Sequence, residues 1–222
     1  LLGIYVLFQN KRSITNVFFF FATLSCFIWL SGLAVFYLFE SPSISLYRFY
    51  TLLGVSTIFP AVYALSVSTL NLFEKKKKII LLNYVMGFLF YFLFFKTDWL
   101  VIGIKKYFWG NYPLYTPFSW IFLSFCITMM GLSSYHYITE LKKMEPGHKK
   151  EQVRMMFIAV LIAFLGALDF LPCFGIKMYP FGYIPIFLFI SIQGYGIISY
   201  QRIKTKQILD SMQDGLIIIN AE

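Results

Sequence analysis

The chain has 222 residues, of which 59% are hydrophobic and 13% charged, and its mean hydropathy is +0.72. Soluble domains carry about a quarter of their residues as charged side chains, so this composition excludes an ordinary soluble enzyme and predicts an integral membrane protein. The net charge of +9 does not indicate nucleic-acid binding, because the basic residues lie in short segments between apolar runs.

Apolar runs long enough to cross a bilayer follow one another along the chain. A spanning helix needs about 20 predominantly apolar residues. The first run, Leu1–Phe8, is too short and is interpreted as the inner end of a helix that the sequence cuts short. The sequence therefore predicts an all-α integral membrane protein, a seven-transmembrane helical bundle over residues 1–200 with its first helix truncated. The complete runs are Ile14–Phe39, Leu46–Phe73, Ile79–Phe95, Pro117–Ile138, Val153–Leu171 and Pro180–Tyr200.

The distribution of Lys and Arg predicts the orientation of this bundle. If the first helix ends inside, the inner segments hold 14 of the 19 basic residues, with the run Lys75–Lys78 as the strongest signal. Cytoplasmic loops are enriched in Lys and Arg, so an N-out, C-in orientation is predicted. The long outer segment Lys96–Thr116 is rich in aromatic residues and is expected to lie along the outer interface.

Residue patterns for catalysis or metal binding are missing from the sequence. His136 and His148 have no Cys, His or carboxylate partner at metal-ligand spacing. We expect no catalytic residue, metal or cofactor in this part of the protein. The cysteines, Cys26, Cys126 and Cys173, are interpreted as small apolar core residues because their number is odd and two lie within apolar runs.

Asp169 is the main ionisable residue predicted within a span. Such residues are costly in a bilayer and suggest a functional site. One interpretation is a carboxylate that caps the turn before Pro172. In the other interpretation, Asp169 is charged and pairs with a residue near the outer ends of the helices. The candidates for that partner are Arg48, Lys177, Tyr47 and Tyr50, although Arg48 could equally pair with Glu40.

Several residues are expected to govern helix packing. Gln193 and Asn83 are interpreted as donors and acceptors between helices. Pro60 and Pro185 permit kinks that free backbone carbonyls. Small residues at helical spacing in the sixth span predict a close helix approach, and these are Ala159, Ala163 and Gly166.

The order of these features resembles a known family, the seven-transmembrane N-terminal sensor region of bacterial membrane histidine kinases. The resemblance rests on a mid-span Trp in "FFFFATLSCFIWLSGLAVFYL" and on an Arg and a Pro in "LYRFYTLLGVSTIFPAVYAL". It rests also on "FWGNYPLY" and on "LGALDFLPCFGIKMYPFGYIPIF", which contains a Gly-x-x-Asp-x-Leu-Pro helix end and a Pro-x-Gly entry to the last helix.

The resemblance implies a sensor in the bacterial inner (cytoplasmic) membrane. Such a bundle detects an extracellular or membrane-borne apolar or amphiphilic small molecule and signals to a cytoplasmic PAS and kinase module. Lipid and a second copy of the chain are further expected partners, and a response regulator would be reached only through the kinase. The candidate ligand-binding residues are Trp29, Tyr47, Arg48, Tyr50, Trp120, Asp169 and Tyr183, and the candidate signal-transmission residues are Pro185, Gln193, Arg202, Asp214 and Gly215.

The end of the chain is interpreted in the same way. Residues 201–213 are predicted to form a linker helix, with Ile203, Ile208 and Met212 available to a partner helix. The dipeptide Asp214-Gly215 predicts a turn into the strand "LIIIN". Residues 214–222 would then be the truncated start of a PAS-like domain.

Other functions remain open at this point. The bundle could be a membrane anchor and dimerisation unit of a signalling enzyme without its own ligand. A transporter is less favoured because few polar residues are available to line a path. A retinal-type receptor is disfavoured because residues 180–200 hold no Lys that could form a Schiff base.

Overall fold

Within the described residues, six helices are long and apolar enough to span a membrane. The computed structural model describes residues 1–38 and 43–219, with side chains as far as Arg202. A short helix, α1 (Leu2–Gln9), precedes the long ones. The structure is therefore mostly helical and compatible with a multi-pass membrane protein, and the predicted count of seven spans and the orientation stay predictions. The long helices are α2 (Ile14–Leu38), α3 (Ile44–Thr69), α4 (Phe73–Lys96), α5 (Ser119–Lys143), α6 (His148–Phe164) and α7 (Tyr183–Ile219).

Helix α3 lies at the centre of the bundle. Its most apolar window is 83% buried, whereas that of α4 is only 28% buried. Its first turns include a π-helical segment, Tyr47–Thr51. The backbone of α2 approaches α3 closely at Gly54. A Cβ atom on Gly54 would lie 2.5 Å from the backbone nitrogen of Trp29 in α2. The small residues of α3 therefore allow close packing of its neighbours.

The Pro60 prediction has a specific structural counterpart. Pro60 has no backbone N–H, so the carbonyl of Ser56 loses its usual partner within α3. Gly87 of α4 packs against that carbonyl, and a Cβ atom on Gly87 would lie 2.6 Å from the Ser56 oxygen. The proline and the glycine together form the α3–α4 crossing.

The all-α prediction is wrong for the segment between α4 and α5. This segment forms an antiparallel hairpin of β1 (Val101–Tyr107) and β2 (Gly110–Tyr115). Gly110 has φ +138°, a backbone conformation that glycine adopts readily. The β-branched residues of β1 favour a strand, and pairing within the hairpin satisfies backbone groups that a single interfacial segment would expose.

The chain also departs from the predicted helix ends around Asp169. Helix α6 is α-helical only to Phe164 and continues as the 3-10 segments Leu165–Phe170 and Pro172–Phe174. Gly175, with φ +86°, ends this run. The start of α4 also differs from the prediction. The helix begins six residues earlier, so the lysine run Lys75–Lys78 lies inside it.

We call the end of the bundle that carries β1 and β2 the hairpin end, and the end that carries Lys75–Lys78 and residues 142–150 the lysine-rich end.

Helix α7 has 37 residues and continues unbroken to Ile219. The turn predicted at Asp214-Gly215 is therefore wrong, and residues 216–219, which were predicted as strand, are helical as well. An Asp-Gly pair forms a hairpin turn only where two strands can pair, whereas a helix satisfies its own backbone. Residues 220–222 lie outside the described residues, and the assignment of a PAS-like domain stays a prediction.

Candidate functional site

Three tyrosine hydroxyls attach the hairpin to the rest of the hairpin end. Tyr107 donates a hydrogen bond to the carbonyl of Pro172 at 2.6 Å, and Tyr112 donates one to the carbonyl of Asp169 at 2.9 Å. The hydroxyl of Tyr115 lies 3.3 Å from that of Tyr47 in α3. We call Tyr107, Tyr112 and Tyr115 the hairpin tyrosines. They close this end of the bundle over the 3-10 segments.

The hairpin tyrosines are buried, and burial raises the pKa of each hydroxyl above its ordinary value of 10.0, strongly so for Tyr112 and Tyr115. All three are therefore protonated at neutral pH and can donate. These residues were not among the sequence-predicted site residues. The signal that could have found them is the Tyr-rich run on both sides of Gly110, since a tyrosine that is buried usually requires a partner for its hydroxyl.

Asp169 is buried, and its carboxylate joins the end of the 3-10 run to the start of α7. Oδ1 accepts a hydrogen bond from the backbone N–H of Gly182 at 2.7 Å. A Cβ atom on Gly182 would lie 2.6 Å from Cγ of Asp169, so a side chain at position 182 does not fit. We call this contact the Asp169–Gly182 clamp. The Asp169 carboxylate therefore caps the start of α7 and not the predicted turn before Pro172, and within the described residues its side-chain hydrogen bond goes to Gly182 instead of Arg48, Lys177, Tyr47 or Tyr50.

Arg48 holds the hairpin instead of facing Asp169. Its guanidinium donates to the carboxylate of Asp98 and, at 2.6 Å, to the backbone carbonyl of Val101, the first residue of β1. Asp98 is largely exposed, so this pair contributes little stability by itself. Its role is to position the first strand. Glu40, the other predicted partner of Arg48, lies outside the described residues.

An apolar cleft lies between α2, α3, α6 and α7 below the hairpin end. Its free volume is about 30 Å³, far below the roughly 300–1,000 Å³ of a small-molecule pocket. Trp29 is the one sequence-predicted ligand residue among those that line it. Its other walls include Ile58, Gly166, Phe170 and Ile186.

Tyr47 and Tyr50 line a different, apolar groove of about 230 Å³ beside Gly32 and Phe36. Ser31 Oγ lies 3.3 Å from the Tyr50 hydroxyl, which accepts its hydrogen bond. Tyr50 and Tyr47 therefore do not share a cavity with Trp29.

Trp120 and Tyr183 are exposed on the surface of the bundle, at 57% and 47%. Trp120 stacks on Phe174 with the ring centroids 4.9 Å apart. This contact supports the second 3-10 segment from outside. Neither residue lines the apolar cleft.

The predicted transmission residues lie along α7. Gln193 is fully buried, and its Nε2 donates to the carbonyl of Met156 in α6 at 2.9 Å, as expected for a bond between helices. Pro185 is the third residue of α7, where a missing N–H costs nothing, so it begins the helix instead of bending it. Arg202 is exposed, and Asp214 and Gly215 are helical.

Two packing predictions have different outcomes. Ile186 of α7 packs over Gly166 in the 3-10 segment, where a Cβ atom would lie 3.3 Å from Cδ1 of Ile186, so at this position the predicted close approach is present. Asn83 is buried, but its Nδ2 finds no hydrogen-bond partner within the described residues. The predicted interhelical bond from that nitrogen is therefore not found.

The part of the chain that the structure describes contains no group of three or more His, Cys, Asp or Glu residues that could hold a metal ion. No protein-family model matches the chain, and no curated protein is significantly similar to it.

Proposed function

We propose that the chain is the transmembrane input region of a bacterial two-component histidine kinase, oriented N-out and C-in. Its ligand is an apolar or amphiphilic small molecule that enters from outside or from the lipid. The observation that carries the proposal is the course of α7. This helix begins at the Asp169–Gly182 clamp and runs without a break to Ile219.

The length of α7 supports a role in transmission. Thirty-seven residues give a helix of about 55 Å, whereas the hydrocarbon core of a bilayer is about 30 Å thick. A shift at the clamp would therefore be carried by one rigid element to beyond the opposite membrane surface. The kinase, its PAS module and the response regulator would lie there.

The apolar cleft is the proposed ligand site. In this form its free volume is only about 30 Å³, against roughly 300–1,000 Å³ for a small-molecule pocket, so the binding of a small organic molecule requires a second state in which α6 and α7 separate. A ligand shifts an equilibrium only when its affinities for two states differ. A closed cleft under a hydrogen-bonded lid fits that requirement.

The binding test uses a photoreactive medium-chain alkyl probe on the chain in vesicles. We expect labelling of peptides that contain Trp29 or Phe170, and loss of that labelling in Gly166→Leu, which fills the cleft. Labelling of the exposed face of α4, at Phe88 and Phe92, is the internal control and should not change. Equal labelling of both regions in both proteins would contradict the proposed site.

The signalling test uses the full-length protein in which the proposed kinase follows α7. Gly166→Leu is expected to hold autophosphorylation at one level whatever apolar compound is added, with normal membrane insertion. Orientation is tested separately by the labelling of single cysteines with an impermeant reagent in intact cells. Phe108→Cys in the hairpin should react and Lys142→Cys should not.

A second candidate function is a membrane anchor and dimerisation bundle without its own ligand. The small volume of the cleft and the hydrogen-bonded hairpin end favour it. In that case autophosphorylation of the full-length protein should survive replacement of the bundle by an unrelated dimeric membrane anchor, and neither protein should respond to apolar compounds.

A further inference from the structure

A polar pocket of about 250 Å³ opens at the lysine-rich end, well separated from the apolar cleft. Four parts of the chain line it: the α1–α2 connection, the α3–α4 turn, the first turns of α6 and the part of α7 near Tyr200. Among the described residues of its wall, none is acidic and Lys149 is the one cation. The electrostatic potential in the pocket therefore favours an anion.

The walls of this pocket are held by buried amide groups. Asn16 is fully buried, and its Nδ2 donates to the carbonyl of Val6 at 2.7 Å. Gln201 Nε2 in α7 donates to Oδ1 of Asn16 at 2.8 Å. Gln152 in α6 donates to the carbonyl of Gly196 in α7. These bonds connect α1, α2, α6 and α7, so the pocket has a preformed shape.

Donors around the pocket remain available to a ligand. Ser13 Oγ accepts the backbone N–H of Asn16 at 3.4 Å, which leaves the Ser13 hydroxyl hydrogen free to donate. The Lys149 ammonium forms no ion pair with the described residues. Asn71 adds an amide from the α3–α4 turn, where its backbone has φ +57°. Three separate segments thus direct donors toward one space.

We infer that this pocket binds the phosphate group of an anionic molecule. A tetrahedral oxyanion presents acceptor oxygens in several directions and suits donors on three segments better than a planar carboxylate does. The volume exceeds that of one phosphate and leaves room for a small polar substituent. The phosphate can belong to a phospholipid headgroup at this membrane surface or to a soluble phosphate compound.

The position of the pocket gives binding a structural consequence. Tyr200 and Gln201 of α7 belong to its wall. A phosphate held by Lys149 and Asn71 that also contacts these two residues would join this part of α7 to α6 and to the α3–α4 turn. Occupancy would therefore restrain α7 at the level of Tyr200. This inference does not rest on the kinase assignment, because binding is measured on the chain itself.

The binding experiment uses the purified chain in an uncharged detergent. The probes are inorganic phosphate, a short-chain phosphatidylglycerol and the matching diacylglycerol, which lacks the phosphate. Saturable binding of phosphatidylglycerol supports the inference with a lipid as the source of the phosphate group, whether or not inorganic phosphate competes. Binding of inorganic phosphate alone supports it with a soluble source. Binding of neither, or equal binding of the diacylglycerol, overturns it.

Variants separate the pocket from the general positive charge of this end. Lys149→Gln should weaken binding roughly tenfold or more, because it removes a charge-assisted bond. Asn71→Gly removes the amide while glycine keeps the positive φ without strain, so binding should weaken several-fold without a change in thermal stability. Lys75→Gln, an exposed lysine outside the pocket, is the control. A loss with Lys75→Gln as large as that with Lys149→Gln would overturn the inference.

Discussion

Substitution of Gly182 by alanine tests the clamp at the start of α7. An added Cβ atom would lie 2.6 Å from Cγ of Asp169, whose carboxylate is buried and accepts the Gly182 N–H. Relief of this clash requires the carboxylate to move. A buried acceptor left without its partner costs about 1–3 kcal/mol, and overpacking costs about 1–3 kcal/mol. We therefore expect Gly182→Ala to lower the free energy of unfolding by about 2–6 kcal/mol.

The assay is a titration with sodium dodecyl sulfate in mixed micelles, followed by circular dichroism. The same substitution made in Asp169→Ala should cost less than about 1 kcal/mol, because the carboxylate that the methyl group meets is gone. Gly131→Ala in α5 is the matched control, since nothing lies within 4 Å of the added Cβ position. An equal loss from Gly182→Ala in both backgrounds would refute the clamp.

Three further predictions concern the hairpin and the central helix. Tyr112→Phe removes the hydroxyl that donates to the carbonyl of Asp169 and leaves the weaker contact from Cys173 Sγ at 3.9 Å, so hydrogen exchange of the hairpin amides should quicken while exchange at the lysine-rich end is unchanged. Gly87→Ala should lower the free energy of unfolding by about 1–3 kcal/mol, since the new Cβ atom meets the Ser56 carbonyl, and the detergent titration measures this. Burial raises the pKa of the hairpin tyrosines above 10.0. Their contribution to the stability of the folded hairpin is therefore complete below pH 10 and is lost as the pH rises through the folded-state pKa values. Tyrosinate absorbance and hydrogen exchange should therefore show the hairpin opening at alkaline pH, and replacement of all three by Phe should remove this pH dependence.

Some of the fold could be predicted because its signal is local. Apolar runs of about 20 residues identify spans without knowledge of what packs on them. The hairpin could not be predicted in this way, since β1 and β2 contain apolar and aromatic residues that suit an interfacial segment equally well. The prediction of a turn at Asp214-Gly215 was wrong for a related reason, because it assumed that the following residues form a strand and pair within a sheet.

The candidate site shows the same division. Asp169 was identified because an acid within a span is costly, but its partner is a backbone N–H that sequence patterns do not reveal. Arg48 pairs with Asp98, fifty positions away, so that contact depends on where the hairpin lies. The hairpin tyrosines were missed because Tyr is also abundant at membrane interfaces.

The central position of α3 divides the sequence into positions with different mutational tolerance. Leu81, Phe88 and Phe92 on α4 are exposed, and an exchange among Leu, Ile and Phe there changes only which apolar atoms meet the lipid. Ala61, Ala64 and Leu65 on α3 are fully enclosed, and in a close-packed interior even one added methylene is felt. In a saturation library scored for folding, the buried positions of α3 should therefore tolerate almost no substitution, whereas the exposed positions of α4 should accept most apolar residues.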